Sequence, residues 1–158
     1  MLVRRVQPGD AHGLQRFLRG LSLSSVYLRF CSGGPNLNAA VRAFTGVSGE
    51  RVGVVACNPQ REIVAHAEYV LIPSGRAEVA VVVADRLQGR GLARKMIEWL
   101  ATDAARQGVE SFVANVLPEN APMLALFTRA FDATVTESPT MCEVSFPIPQ
   151  ARAERRAA

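Results

Sequence analysis

Residues 76–108 constrain the fold more than any other part of the chain. They open with small and β-branched residues at positions 79–83, a run typical of a strand that is covered on both faces. A polar turn follows, and Gln88-Gly89-Arg90-Gly91-Leu92-Ala93 leads directly into a helical pattern. The segment therefore predicts a strand, a glycine-containing turn and a helix in immediate succession.

The predicted helix ends before Gly108, a residue type that commonly terminates helices. Its apolar residues recur at the spacing of one helical face. This stripe contains Leu92, Ala93, Met96, Ile97, Leu100 and Ala104. Backbone N–H groups in the first turn of a helix lack partners within the helix, and the helix dipole favours an anion there. The turn is thus either a phosphate site or a purely structural feature, and it contains neither a P-loop nor a GxGxxG motif.

The hexapeptide at positions 88–93 resembles the Q/R-x-x-G-x-G/A signature of the Gcn5-related N-acetyltransferase (GNAT) family. The preceding Ala77-Glu78-Val79-Ala80-Val81-Val82-Val83 resembles the central strand of that family, which has an acidic residue near its start. The resemblance covers residues 1–147. It implies an α/β (α+β) fold in which a mixed, mostly antiparallel sheet is flanked by helices and splayed at the acetyl-CoA site.

The resemblance also implies how acetyl-CoA, the acyl donor, is bound. Main-chain groups of Val81 and Val83 would pair with the pantetheine amides like an added strand, and amides of residues 88–93 would hold the pyrophosphate. Asn120 opens a segment similar to one that borders the cofactor arm in the family, although it is also a good helix N-cap. The expected cofactor-binding residues are Val81, Val83, Gln88, Gly89, Arg90, Gly91, Leu92, Ala93 and Asn120. Arg94 is near enough in sequence to contact a phosphate, and it equally fits a solvated position without a ligand.

Glu78 is the candidate general base. A free lysine amine has a pKa of about 10.4, so its deprotonation near pH 7 costs roughly 4–5 kcal/mol. Glu78 opens the central strand where the sheet would splay, and partial burial there would raise the pKa of its carboxyl group into a useful range. Glu78 also fits an exposed position without a catalytic role. Glu68 and His66, on the neighbouring strand, are second candidates that equally fit a solvent-facing position.

The chain departs from the family's pattern after Asn120. Many members carry a tyrosine seven residues later, which protonates the departing thiolate, but Phe127 stands there in this sequence and has no proton to donate. The usual Gly-Phe after that helix is also absent, since residues 129–132 read Arg-Ala-Phe-Asp. The first departure keeps open a different class of protein, a non-catalytic module that binds acyl-CoA.

The segment Ser25-Val26-Tyr27-Leu28-Arg29-Phe30 bears on the acceptor. On its residues alone, it is a helix turn and loop with core aromatics. Its Ser-x-Tyr-x-Arg-Phe pattern, however, resembles a segment of the bacterial protein lysine acetyltransferases that modify acyl-CoA synthetases. The resemblance implies an N-acetyltransferase with a protein lysine acceptor, such as one on an acyl-CoA synthetase, and a small-molecule amine is the alternative. Residues 22–50 would form a flap over the acceptor side.

Composition limits the remaining possibilities. The 158 residues and the net charge of +4 fit one domain, residues 1–147, with a frayed tail at 148–158. An anionic cofactor or an acidic partner surface accounts for the charge, and no basic patch interleaved with aromatics indicates nucleic acid. The scattered cysteines and histidines predict no metal site. No membrane span or signal peptide is evident, so we expect a cytoplasmic monomer or homodimer.

Residues 51–57 and 62–72 are predicted to pair and to lead into the central strand, a meander that keeps sequential strands adjacent. Residues 133–136 and 140–146 are predicted to form a closing hairpin. Asp10 is expected to cap a first helix that buries Leu14, Phe17, Leu18 and Leu21. Further helices are predicted at residues 37–44 and 121–130. The expected strands are residues 2–6, 51–57, 62–72, 111–116, 133–136 and 140–146.

Overall fold

The computed structural model describes residues 1–148, and these form one layered arrangement of helices on a sheet. The strands are β1 (Leu2–Arg5), β2 (Arg51–Cys57), β3 (Ile63–Ile72), β4 (Arg76–Val83), β5 (Ser111–Val116), β6 (Thr134–Glu137) and β7 (Cys142–Pro147). The helices are α1 (Ala11–Arg19), α2 (Leu23–Phe30), α3 (Leu37–Thr45), α4 (Leu92–Arg106) and α5 (Ala121–Ala130), and short 3-10 turns cover Pro8–Asp10 and Asp85–Leu87. The predicted tail lies outside the described residues except for Ile148, which is buried and bonds its N–H to the carbonyl of Glu110.

The sheet has seven strands in the order β1-β2-β3-β4-β5-β7-β6. All neighbouring pairs are antiparallel except β4 and β5, which run parallel. The predicted meander of β2, β3 and β4 is therefore correct, and the two closing strands pair with each other as expected. It is β7, and not β6, that lies beside β5. Strand β7 alternates buried and more exposed side chains, whereas β6 has no fully buried residue. The strand with more apolar side chains to bury thus takes the inner position.

The parallel pair β4–β5 separates partway along its length. The register pairs Arg76 with Ser111 and continues only to Glu78 with Val113. Both strands go on beyond this point, β4 to Val83 and β5 to Val116. The sheet is therefore mixed, mostly antiparallel and splayed, as expected from the sequence.

The core lies on both sides of the central strands. Helix α4 has the predicted bounds, and its stripe is buried at Leu92, Met96, Ile97, Leu100 and Ala104. The other face of the sheet is covered in part by α1, whose Leu14, Phe17 and Leu18 are buried. No helix within residues 1–148 is long and apolar enough to cross a membrane.

Asp10 does not cap α1 as expected. A 3-10 turn precedes the helix, and the Asp10 carboxylate accepts the N–H of Gln7 at 2.7 Å within that turn. It also accepts two hydrogen bonds from the guanidinium of Arg4, at 2.8 and 2.9 Å. The Asp10 carboxylate thus bonds to residues that precede α1 and not to the N–H groups of the first turn of α1.

The flap, residues 22–50, contains two complete helices. Ser22 caps α2 by accepting the N–H of Ser25, and α2 ends at Cys31, which has a left-handed φ of 54°. Asn36 caps α3 in the same way through the N–H of Ala39. The segment at residues 25–30 is therefore helical throughout, and its side chains can reach the sheet from a fixed backbone.

Candidate functional site

A cavity of about 260 Å³ opens where β4 leaves β5. Its walls come from α2, the end of β4, the turn before α4, and the start of both α4 and α5. All the predicted donor-binding residues except Arg90 line it: Val81, Val83, Gln88, Gly89, Gly91, Leu92, Ala93 and Asn120. Arg90 is exposed beside the cavity, and Arg94 lines it while its Nε bonds to Glu98 at 2.8 Å.

Two glycines keep the turn before α4 open. Gly89 and Gly91 have φ values of 73° and 82°, a left-handed conformation that side chains strongly disfavour. A Cβ at either position would meet nothing within 4 Å, and no side chain caps the helix. The first-turn N–H groups of α4 therefore face a space without protein atoms, which fits a pyrophosphate bound by backbone groups.

A polar network ties the flap to this turn. The hydroxyl of Ser25 donates to Asp85 at 2.8 Å, and the hydroxyl of Ser22 donates to the same carboxylate at 2.6 Å. Gln88 donates through Nε2 to Ser25 Oγ and to the carbonyl of Val83, both at 3.0 Å. The backbone N–H of Ser22 also donates to Asp85, at 3.0 Å. The two hydrogen bonds from Ser22 lower the pKa of Asp85, because they stabilise the ionised carboxylate. The side chain of Gln88 thus organises the site, while its backbone N–H donates to the carbonyl of Asp85 at 3.3 Å within the turn.

Glu78 lies on the last paired rung of β4 and β5, at the mouth of the splay. Its side chain is exposed, so the expected partial burial is wrong. The described residues offer it one side-chain hydrogen bond, from Asn115 Nδ2 to Oε1 at 3.4 Å. The carboxylate is therefore accessible to a molecule that approaches from outside.

Glu68 is buried and doubly paired, and it does not face solvent. It is 7% exposed, and its Oε1 accepts Arg29 Nη2 at 3.0 Å while Oε2 accepts Arg51 Nη1 at 2.5 Å. Both oxygens are thus occupied by guanidinium donors. This arrangement leaves Glu68 poorly placed to take a proton from an acceptor.

His66 is fully buried, and it likewise does not face solvent. Its ring stacks on Phe44 with a centroid distance of 3.9 Å, and neither ring nitrogen has a hydrogen-bond partner within residues 1–148. Burial, with smaller contributions from the charges of Arg29 and Arg51, holds the pKa of His66 well below its usual value. The imidazole is neutral and enclosed, so it is not accessible to an acceptor amine.

A smaller hollow of about 40 Å³ lies in the splay itself. Val79, Ala80 and Val81 form one side, and Ala114, Asn115 and Val116 form the other. Asn120 lines both hollows and also caps α5, since its Oδ1 accepts the N–H of Met123 at 3.4 Å. The structure therefore accommodates both roles that the sequence left open for Asn120.

Phe127 faces the smaller hollow but is a core residue. It is 1% exposed and packs on Phe146 and Phe131 at centroid distances of 5.4 and 6.3 Å. The one tyrosine of the flap, Tyr27, is exposed and donates its hydroxyl to Glu119 at 3.2 Å.

The sequence pattern missed two features of the site. In the sequence, Asp85 belongs to the polar turn after the central strand, and Arg51 is the first residue of a predicted strand. Each acts on a distant partner, Asp85 on Ser25 and Arg51 on Glu68. No local spacing signals such contacts, because they join segments far apart in the chain.

Residues 25–132 match the family model described as the acetyltransferase (GNAT) family, and the chain belongs to this family. It is an N-acetyltransferase that uses acetyl-CoA as its acyl donor. Among solved structures, it is similar to the GNAT domain of S. lividans PAT, with 31% identity over 92% of this chain and 89% of that chain, and a TM-score of 0.83.

Two further structures share the fold. A cAMP-binding acyltransferase from Mycobacterium smegmatis is 24% identical, with a TM-score of 0.65 over 95% of this chain and 44% of that chain. A phosphinothricin acetyltransferase from Sinorhizobium meliloti, in complex with AcCoA, is 13% identical, with a TM-score of 0.76 over 92% of this chain and 87% of that chain. At these identities the likeness indicates the architecture and leaves the acceptor open.

Proposed function

We propose that this enzyme transfers the acetyl group of acetyl-CoA to a lysine side chain of a protein, and that an acyl-CoA synthetase is the first acceptor to test. The observation that carries this proposal is the exposed carboxylate of Glu78 at the mouth of the splay. A lysine on a protein surface can approach an exposed carboxylate without entering a closed pocket. The resemblance of residues 25–30 to synthetase-modifying acetyltransferases supports the same acceptor class.

The donor half of the proposal assigns acetyl-CoA to the cavity lined by the turn before α4. The edge of β4 that β5 leaves unpaired supports pairing of the pantetheine amides with Val81 and Val83. The carbonyl of Val83 already accepts Gln88 Nε2, but a carbonyl oxygen has a second lone pair. Amides of residues 88–93 would hold the pyrophosphate, with Arg90 near the phosphates and Asn120 beside the arm.

Glu78 would act as the general base. It would take a proton from the acceptor ammonium, directly or through one water, so that a neutral amine attacks. Phe127 supplies no acid, so the departing thiolate would leave without a proton from a side chain. Backbone groups and the fixed flap would contribute by orienting the two substrates.

Incubating the purified enzyme with acetyl-CoA and an acyl-CoA synthetase tests this proposal. We expect acetylation of the catalytic lysine of the synthetase, mapped by mass spectrometry, and a matching loss of synthetase activity because acetylation removes the lysine charge. A synthetase whose catalytic lysine is replaced by arginine serves as the acceptor control. The Glu78→Gln enzyme serves as the control for catalysis by the enzyme.

A parallel reaction with small amines separates the acceptor classes. Acetylation of spermidine or an amino sugar, with several synthetases left unmodified, would contradict the protein-lysine proposal and favour a small-molecule acceptor. Modification of the synthetase at scattered surface lysines that persists with the Glu78→Gln enzyme would indicate non-enzymatic acetylation and would also contradict it.

A further inference from the structure

Arg29, on α2 of the flap, is a buried guanidinium that faces the place where β4 and β5 part. Its side chain is 10% exposed, yet it lines both the cavity of about 260 Å³ and the smaller hollow in the splay. The rings of Phe30 and Phe44 lie 5.0 and 5.6 Å from its Cζ. The guanidinium is thus held in place from several sides, and it points to a role at the reacting end of the donor.

The three nitrogens of this guanidinium differ in their surroundings. Nη2 donates to Glu68 at 3.0 Å, and Nε is buried without a partner. Nη1 forms no hydrogen bond with the described residues and is not among the buried unpartnered atoms. Nη1 is therefore at least partly exposed, and its N–H groups have no partner among the described residues, so they are available to a molecule in the hollows that this side chain lines.

The cluster around Arg29 carries a net positive charge. Two guanidiniums, Arg29 and Arg51, share the single carboxylate of Glu68, and the neighbouring His66 is neutral because burial lowers its pKa. Desolvation also lowers the pKa of Arg29, but an arginine remains protonated at any working pH. A positive charge without its own counter-ion in a poorly hydrated place favours a negative charge nearby.

We infer that Arg29 is a catalytic residue, and that its Nη1 donates a hydrogen bond to the thioester carbonyl oxygen as that oxygen gains negative charge. The inference depends on the proposed function only in placing the acetyl end of acetyl-CoA in the splay. Preorganised donors aimed at developing charge are commonly the largest electrostatic contribution in acyl transfer. Glu68 and Arg51 are positioning residues, since they hold Arg29 and do not reach the substrate.

The transfer step balances with this assignment. The amine nitrogen forms a bond to the acetyl carbon, and the carbonyl π electrons move onto the oxygen that Arg29 contacts. When the carbonyl re-forms, the C–S bond breaks and its electron pair leaves with sulfur as the coenzyme A thiolate. The acceptor loses two protons in all: Glu78 takes the first from the ammonium before attack and releases it to solvent, to which it is exposed, and it takes the second from the newly bonded nitrogen as the carbonyl re-forms. Arg29 gains and loses no proton.

Infrared difference spectroscopy with acetyl-CoA labelled with ¹³C at the thioester carbonyl tests this contact without any acceptor. We expect the carbonyl band to move to lower frequency when acetyl-CoA binds the wild-type enzyme, because the donor polarises the bond. The shift should disappear in the double variant Arg29→Gln/Glu68→Gln, which removes the guanidinium without leaving Glu68 as an unpaired buried carboxylate. Arg42→Gln, which removes an exposed arginine of the same flap, should keep the shift.

Turnover provides the second measurement. Loss of one such donor typically lowers kcat by about a hundred- to a thousandfold, and we expect this loss in the double variant with the dissociation constant for acetyl-CoA changed by no more than about threefold. Glu68→Gln alone should lower kcat less, because Arg29 is still present but less well held. The pH profile should keep its shape, whereas a role in lowering the pKa of the acceptor amine would move it to higher pH.

The inference would be overturned by a folded double variant that binds acetyl-CoA, keeps the carbonyl shift and retains wild-type kcat. Failure of the protein-lysine proposal is a separate result: the wild-type enzyme would then acetylate spermidine and no synthetase, while the carbonyl shift would still depend on Arg29.

Discussion

Two hollows within residues 1–148 differ in what their walls offer a ligand. The groove between α1 and the β2–β3 turn has a volume of about 420 Å³ and contains Arg4, Arg16, Arg61 and Arg86. The splay cavity is smaller, at about 260 Å³, but it contains the open turn before α4 and the free edge of β4. At the groove, Ile63 pairs with Cys57, the carbonyl of Val64 accepts the N–H of Ala84, and Arg4 is already held by Asp10. Volume and positive side chains alone would favour the groove, whereas unpartnered backbone groups favour the splay as the acyl-CoA site.

The largest expected effect is on turnover, and it should separate Glu78 at the splay from Glu62 at the groove. Glu78→Gln keeps the shape of the side chain but removes the proton acceptor, so turnover at neutral pH should fall by about a hundred- to ten-thousandfold, with acetyl-CoA affinity little changed. Raising the pH should recover part of the loss, because more of the amine is then neutral. Glu62→Gln, at the rim of the groove, should leave steady-state turnover unchanged.

Equal turnover of the wild-type and Glu78→Gln enzymes across the pH range would show that Glu78 takes no part in proton transfer. Since Glu68 is doubly paired and His66 is enclosed, catalysis would then depend on proximity and on the charge at the splay.

The second prediction concerns negative charge placed in each hollow. Gly91→Glu should lower acetyl-CoA affinity, measured by calorimetry, at least about tenfold relative to Gly91→Ala, because it adds an anion at a helix N-terminus meant for phosphate. Gly91→Ala carries the same left-handed strain without the charge. Gly9→Glu has open space for its Cβ in the groove and should bind acetyl-CoA normally.

Equal affinities of the two Gly91 variants in folded protein would contradict a pyrophosphate at this turn. A loss of affinity in Gly9→Glu alone would transfer the donor to the groove.

The third prediction concerns His66, in the strand behind the splay. Its pKa is depressed in the folded state, so below the unfolded-state value of about 6.5 the unfolded chain binds a proton that the native protein does not. Stability should therefore fall with decreasing pH from about 6.5 downward, by up to about 1.4 kcal/mol per pH unit from this residue. Chemical denaturation of wild type and His66→Leu from pH 7.5 to 5 should give curves that diverge by this slope. Parallel curves would show that the pKa of His66 is not lower in the folded protein than in the unfolded chain.

The smallest expected effect is at Phe127. Phe127→Leu should keep turnover within about threefold and lower the unfolding free energy by about 1 kcal/mol, because the residue packs and performs no proton transfer. Phe127→Tyr adds the hydroxyl found in many family members and should not raise turnover. A hundredfold loss in Phe127→Leu, with intact folding and donor affinity, would show that the ring has a direct part in the reaction.

Local patterns predicted the elements well, because their causes lie within a few residues. The bounds of α4, β5 and α5 follow from apolar spacing, from the glycine at position 108 and from the Asn120 cap. The glycine turn follows from a contiguous motif, and the splay is implied by the family resemblance that this motif carries. These features depend on the backbone, which the motif determines directly.

Features that depend on distant partners could not be predicted in the same way. Arg29, Glu68 and Arg51 lie on three elements, and only the folded chain brings their charges together. The exposure of Glu78 depends on where β5 stops pairing with β4, and the inner position of β7 depends on which strand buries more side chains. Sequence alternation suggested solvent-facing positions for Glu68 and His66 because it cannot show the flap that covers them.

Amide hydrogen exchange with and without acetyl-CoA tests most directly whether the splay cavity holds the donor. The account predicts slower exchange for residues 81–83 and 88–93 when acetyl-CoA is present, because the donor covers the free edge of β4 and the first-turn N–H groups of α4. Residues 9–20 and 60–64, which border the groove, should exchange at the same rate in both samples. Protection of the groove, with residues 81–83 and 88–93 unchanged, would contradict the account.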